Sequence, residues 1–416
     1  MAQEYSLEGL QFTAGTPRVV AEGVGFCWYP AIRRFSSGEL MIGYSLNPDS
    51  NENLVNVTGI SLSSDNGATW ARHCDVTGLS GRLDMSLPDG TLAGPNQPFK
   101  PDPPGQWRSF VGHYGRFEQG GQRYTVELWG TRIEGLPRDV KPHAVQSRTR
   151  WAQLSPFRDT IELEPGRFLS TSYMTFDGDD RYSTVVMVSE DEGRTWHYLS
   201  TVCGAEAGAG AREGFCESSL VRLEDGDLMC VGRMGGGRDQ LLARTYSSDE
   251  GKTWTPIDRL PAWSVLPDIM RMSNGVLALS TGRPGLFLWL STDRRGEHWE
   301  PFDVMAHHNA EMDSAHQISP GKYGLEPITR EQYRSVHHDF DQPDQTTSYT
   351  SILEVEPGRL LMVYDRIPYG WMPVPTDAEV RSRILQRYPT FALPPDSMIP
   401  NERERIYILE IDIERQ

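Results

Sequence analysis

The densest run of residues able to bind a metal or move a proton is Pro301 to Thr347, which carries His307, His308, Glu311, Asp313, His316, His337 and His338. A zinc-type site needs ligands at fixed short spacings, and these match no helix-borne ligand pair. The stretch therefore reads as a long solvated or substrate-facing loop, with no metal and no cofactor. The five cysteines, Cys27, Cys74, Cys203, Cys216 and Cys230, are odd in number and include no CxxC pair, which points to buried, reduced thiols. Two further segments bracket a glycine turn with groups that bind anions or transfer protons. One runs Glu217-Ser218-Ser219-Leu220-Val221-Arg222-Leu223-Glu224-Asp225-Gly226-Asp227-Leu228-Met229-Cys230-Val231-Gly232-Arg233, and the other runs from Tyr349 to Asp365. Singly, a carboxylate, a phenol and a guanidinium are ordinary surface or half-buried groups. Their meaning depends on what the fold brings together.

The elements that must position them announce themselves as repeats. Ser63 to Trp70, Ser189 to Trp196 and Ser247 to Trp254 all fit Ser-x-Asp-x-Gly-x-Thr-Trp, and Ser291, Asp293, Gly296 and Trp299 form a looser copy. In such a box the Asp hydrogen-bonds its own turn, the Gly supplies positive φ, and the Trp anchors the turn in apolar surroundings. Each box is accordingly scaffold, not active site.

A second repeat is the turn within a hairpin, centred on Gly38, Gly90, Gly166, Gly226, Gly275 and Gly358. Four of the six turns are followed, 16 to 25 residues on, by a box. Six units of this kind, with almost no helical periodicity, predict an all-β chain: a six-bladed β-propeller with long loops and one short helix near the C-terminus. Residues 1–416 then form a single propeller domain with insertions at about 301–347 and 368–405. Within the second insertion, Thr376 and Glu379 make a capping box, and Val380, Ile384 and Tyr388 share one face, so Thr376 to Tyr388 is the expected helix. It would wall a cleft or serve a contact between copies of the chain. The strand candidate Ile406 to Ile413 helps to close the ring.

Composition narrows the partners. A formal charge of −17 argues against nucleic acid and anionic membranes, which need broad positive surface. Mean hydropathy is −0.49 and no apolar run is long enough to span a bilayer. The first residues show no basic-then-apolar leader, so a cytoplasmic location is the expectation.

On its boxes and on three segments outside them, the sequence resembles the sialidase superfamily, the Asp-box neuraminidases, from about Phe26 to Asp365. Glu217 to Arg233 is similar to the family segment that opens with a catalytic Glu, passes a hairpin and ends on a substrate-binding Arg. Tyr349-Thr350-Ser351-Ile352-Leu353 is similar to the segment whose Tyr is the nucleophile. Arg283 stands where the family places another arginine of its carboxylate-binding triad. The resemblance implies that Tyr349 attacks the anomeric carbon while Glu217 takes its proton, since a phenol with an ordinary pKa of about 10 needs a base at neutral pH. It implies that an Asp after the first hairpin protonates the leaving group; Asp49 is the best positional match and Glu52 its competitor.

One departure stands out. The family opens with Arg-Ile-Pro on its first inner strand, and this chain has Trp28-Tyr29-Pro30. Arg33 has the opposite parity to position 28, and Arg34 lies about 20 Å along a strand rising about 3.3 Å per residue. Two triad arginines remain, Arg233 and Arg283, with Trp28 as a surface on which a sugar face could stack. The expected activity is that of a retaining exo-acting glycoside hydrolase on a terminal sugar other than an ordinary sialic acid. A lyase cleaving next to a uronate, with Tyr349, His113 or His316 as base, and a non-catalytic glycan- or protein-binding propeller are the alternatives. In each, the partner is a carbohydrate or a protein, and a homo-oligomer is compatible with the sequence.

Overall fold

A computed structural model describes residues 3–23, 26–46, 57–79, 83–118, 123–143, 151–152, 158–208, 211, 213–235, 241–263, 265–283, 285–319, 345–368 and 403–416. Three strands, β1 (Gln3–Leu7), β2 (Leu10–Ala14) and β3 (Arg18–Gly23), precede the first blade. Blade one is β4 (Trp28–Arg34), β5 (Leu40–Ser45), β6 (Val57–Ser63) and β7 (Ala71–Thr77). Blade two is β8 (Met85–Ser86), β9 (Leu92–Pro101), β10 (Phe110–Phe117) and β11 (Tyr124–Glu134). A short ribbon, β12 (Pro142–His143) with β13 (Trp151–Ala152), leads to blade three: β14 (Arg158–Glu164), β15 (Arg167–Met174), β16 (Ser183–Ser189) and β17 (Thr195–Cys203). Blade four is β18 (Gly214–Arg222), β19 (Leu228–Gly235), β20 (Leu241–Ser247) and β21 (Asp258–Trp263). Blade five is β22 (Asp268–Arg271), β23 (Leu277–Gly282), β24 (Leu286–Ser291) and β25 (Glu300–Asp303), followed by α1 (Val304–Glu311). The sixth blade joins both ends of the chain: β26 (Ser351–Glu356) pairs with β27 (Arg359–Arg366) and β27 with β28 (Glu404–Arg415), whose two halves pair onward with β3 and β2.

Each sheet is apolar on two faces because each is pressed between two others. The buried side chains fall into six apolar layers, one between every pair of adjacent blades. The layer uniting Ile32, Ile42, Leu361, Val363, Ile406 and Ile408 lies between blades one and six and closes the ring. Burying apolar surface there stabilises closure by roughly 25 cal/mol per Å².

The boxes fix the opposite end of the blades from the site. Trp28 is registered with Ser45, and Ser45 with Thr58, whereas Arg34 is registered with Leu40, and Leu40 with Ser63, the first residue of a box. In that box Asp65 accepts from Thr69 N at 2.9 Å and Thr69 Oγ1 at 2.6 Å, Ser63 Oγ accepts from Gly67 N at 2.9 Å, and Trp70 Nε1 donates to Gly67 O at 3.0 Å. The same bonds recur around Asp249. The glycines take φ of 86° at Gly67 and 85° at Gly251, a conformation strained for any other residue. The boxes are thus self-satisfied turns, as their composition predicts.

The stretch 301–347 is not wholly loop. It begins within β25 and turns into α1, capped by Asp303, whose side chain accepts from Ala306 N. Val304, Met305, His307 and His308 are its buried residues. No continuous apolar stripe marks this helix because histidines fill half of its inner face. The helix expected at Thr376 to Tyr388 lies outside the described residues.

Candidate functional site

Strand bulges aim the side chains of the site. In β4 the pairing Trp28↔Ser45 jumps to Ala31↔Gly43, in β14 Arg158↔Thr171 jumps to Ile161↔Leu169, and in β18 Cys216↔Arg233 jumps to Ser219↔Val231. The residue after each first pair is left-handed: Tyr29 at φ 54°, Asp159 at 44° and Glu217 at 46°. A non-glycine residue held there costs roughly 1–3 kcal/mol, and such outliers cluster where side chains are re-aimed for function. Two of them, Tyr29 and Glu217, are thereby turned to Tyr349, and the third, Asp159, lies by Asp84 and Arg33.

Glu217 and Tyr349 meet directly. The Tyr349 hydroxyl donates to Glu217 Oε1 at 2.7 Å, while Oε2 accepts from Arg233 Nη1 at 3.0 Å and from Leu266 N at 3.2 Å. The guanidinium and the amide hold the carboxylate so that one oxygen is left for the phenol. Arg233 also reaches Glu213 Oε2 through Nη2 at 3.4 Å. The guanidinium of Arg283 lies 5.6 Å from the centroid of the Tyr349 ring, and its Nη2 donates to Thr347 O at 2.9 Å. Against another part of the same ring, Tyr29 packs edge-on at 4.7 Å.

Beneath this layer a buried carboxylate ties the parts together. Asp365 accepts from Tyr29 N at 3.0 Å, Thr346 Oγ1 at 2.9 Å, Thr347 N at 2.7 Å and Thr347 Oγ1. Thr347 in turn accepts from Tyr349 N through its hydroxyl and from Arg283 through its carbonyl. One side chain therefore sets Tyr29, Tyr349 and Arg283 relative to one another. Burial raises the pKa of Asp365, and the four donors work against that rise. Glu404, also buried, accepts from Cys27 N next to Trp28.

Further along the axis, Arg33 bridges three blades. It binds Asp84, lies 3.7 Å from Asp159 and donates to Ser351 Oγ at 3.2 Å. Burial opposes its charge, but Asp84, Asp268 and Asp159 outweigh that and raise its pKa. Asp268 meanwhile accepts from Ile352 N.

Four of the six residues singled out from sequence, Tyr349, Glu217, Arg233 and Arg283, are brought into one cluster. Asp49 and its competitor Glu52 lie outside the described residues. Trp28 requires a correction. It is 1% exposed, packed between Phe26 at 5.2 Å and Tyr29 at 4.9 Å, so its indole offers no face to a sugar. The bulge gives the place beside Tyr349 to Tyr29. The extra residue of the bulge reverses the expected parity, bringing Arg33 and not Arg34 into the alternation of Trp28, and Arg33 is held by aspartates. Arg34 is turned to the carbonyls of Glu354 and Val355.

The histidines are engaged elsewhere. His307 bonds Tyr5 Oη and Gly15 O, His308 bonds Tyr364 Oη and His316 O, and His316 bonds Tyr407 Oη. His113 accepts from Trp129 N on blade two. His337 and His338 lie outside the described residues. Among the described residues no group of three or more His, Cys, Asp or Glu side chains is placed to hold a metal. The roles of Tyr29, Glu213 and Asp365 escape sequence reasoning, because the bulge and the hydrogen bonds that give them those roles leave no local pattern.

The sequence pattern of the BNR repeat-like domain family matches residues 137–362, more than half of the chain. No curated protein matches it. Among solved structures, a protein of unknown function from Dyadobacter fermentans is similar over 98% of this chain and 100% of its own, at 15% identity and a TM-score of 0.59. An alpha-L-arabinanase of Penicillium chrysogenum, solved with arabinobiose, is similar over 95% of this chain and 98% of its own, at 13% identity and 0.55. A Hadza microbial sialidase is similar over 83% of this chain and 64% of its own, at 15% identity and 0.50. At such identities the likeness is one of fold. Six closed blades, their boxes and the matched sequence pattern lead to one statement of kinship: the chain belongs to the BNR repeat-like domain family and has the sialidase-like propeller fold.

Proposed function

We propose that the chain is a retaining, exo-acting glycoside hydrolase in which Tyr349 is the nucleophile and Glu217 its base. The observation that carries this is the 2.7 Å bond from the Tyr349 hydroxyl to Glu217 Oε1. In the first step the phenol oxygen bonds to the anomeric carbon, its proton passes to Glu217, and the bond to the leaving oxygen breaks. That oxygen takes a proton from a general acid, the role we assign to Asp49. In the second step Asp49 takes a proton from water, which attacks the anomeric carbon. The phenolate leaves and recovers its proton from Glu217, so catalyst and protons are restored. Arg233 and Arg283 bind the sugar, and Arg233 also keeps Glu217 aimed. A neutral nucleophile with a carboxylate base sets this chemistry apart from that of the two-carboxylate retaining enzymes. The fold shared with an arabinanase and a sialidase supports action on a glycan. The test is a panel of fluorogenic terminal glycosides, sialoside included, turned over by the wild type and by Tyr349→Phe. Turnover by the wild type that vanishes in Tyr349→Phe is expected, and undiminished turnover in the variant would refute the role of Tyr349.

A further inference from the structure

The charges around the site speak to the class of sugar it takes. A sugar carboxylate is bound by guanidinium forks whose donors it can occupy in pairs. Arg233 already gives Nη1 to Glu217 at 3.0 Å and Nη2 to Glu213 at 3.4 Å. A third carboxylate on the same fork would have to displace Glu213 or lie beside it, with like charges in contact. Arg283 spends Nη2 on Thr347 O and lies over the ring of Tyr349. Arg33, on the inner strand of blade one, is taken by Asp84, with Asp159 close by.

The residue presented where a further cation would strengthen anion binding is Tyr29, edge-on to Tyr349. Its left-handed backbone is fixed from below by Asp365, so this aromatic is built into the site. Around Tyr349, two arginines (Arg233 and Arg283) stand with two carboxylates (Glu213 and Glu217), and a third, Asp365, is buried beneath them. An anionic sugar would meet guanidiniums whose charge these carboxylates already offset. A neutral sugar would find an aromatic wall for its C–H face and charged donors and acceptors for its hydroxyls.

We infer that the site takes an uncharged terminal sugar, with Tyr29 and the Glu213–Arg233 pair as its specificity determinants. This rests on the glycoside hydrolase reading above, so turnover and binding are measured separately. The probes are 4-methylumbelliferyl glycosides of arabinose, galactose and glucose against those of N-acetylneuraminic and glucuronic acids, with binding of the five free sugars to Tyr349→Phe followed by ligand-observed NMR. At least one neutral sugar is expected to be preferred over both acids by about a hundredfold in kcat/KM or about tenfold in affinity. In Glu213→Gln, an isosteric change at a side chain 36% exposed, one competing charge is gone and the acid-to-neutral ratio rises about tenfold. Neutral sugars bound but not turned over would keep this assignment while removing the hydrolase reading. Acidic sugars processed or bound as well as neutral ones, neither class bound, or a ratio unmoved by Glu213→Gln would overturn it.

Discussion

The Tyr349 hydroxyl donates a 2.7 Å hydrogen bond to Glu217 Oε1 across 132 residues of sequence, from the entry of the sixth blade to a bulge in the fourth. In the proposed mechanism this contact puts the base in hydrogen-bond reach of the nucleophile before any sugar arrives. Glu217→Gln removes the acceptor while preserving shape, and kcat is expected to fall about 10²–10⁴-fold with KM changed only a few-fold. Steady-state kinetics on the best fluorogenic glycoside checks this. A loss carried mainly by KM would make Glu217 a binding residue.

Trp28 and Tyr29 are adjacent in sequence and opposite in role. Trp28 is fully buried, so Trp28→Ala is expected to destabilise the fold by about 3–5 kcal/mol through the cavity it leaves. Tyr29 is half-buried against Tyr349, so Tyr29→Ala is expected to leave the melting temperature nearly in place and to raise KM about tenfold. Thermal melts and kinetics on both variants separate the two roles. Equal losses of stability would show Tyr29 to be a packing residue only.

The buried and exposed acids move stability in opposite pH windows. Burial, and then Asp365, push the Glu404 carboxyl well above its ordinary value of 4.5. A raised pKa means tighter proton binding in the folded state, so this contribution is whole below 4.5 and is lost as pH rises through the folded value. The box aspartates are the reverse. Hydrogen bonds from Thr69 and Thr253 hold Asp65 and Asp249 down to about 2, so their contribution is present above 3.8 and lost as pH falls through about 2. Melting temperature against pH is expected to decline above 4.5 in the wild type and less so in Glu404→Gln. Parallel curves would contradict the placement of Glu404 as a buried acid.

Boxes differ in what their tryptophans carry. Trp196 is fully buried and joins the layer between blades two and three, whereas Trp70 is only partly buried. Trp196→Ala is expected to cost about 3–5 kcal/mol, and Trp70→Ala clearly less. Denaturant unfolding of the two variants tests this, and equal losses would place both in the same packing environment.

Much of the architecture is legible in the chain because its signals are local. A box needs only eight residues to satisfy its own turn, and a hairpin needs only its glycine, so blade count follows from counting. Glu217, Arg233, Arg283 and Tyr349 are legible through the likeness of short segments, and the fold brings them together. What was not legible depends on distance or on a single extra residue. The bulge in β4 is invisible in a seven-residue strand, yet it decides that Tyr29 stands beside Tyr349 while Trp28 is core. Asp365 gains its role from partners 18 and 336 positions away. The helix Val304–Glu311 hides because His307 and His308 occupy positions where apolar residues would mark it.

In the proposed mechanism the sugar is carried on Tyr349 between the two steps. Incubating the protein with a fluorinated glycosyl fluoride of its preferred sugar slows the second step, and mass spectrometry of the digested protein locates the adduct. A glycosyl group on the peptide containing Tyr349 is predicted. An adduct on Glu217, or a product of inverted configuration with no adduct, would contradict the account.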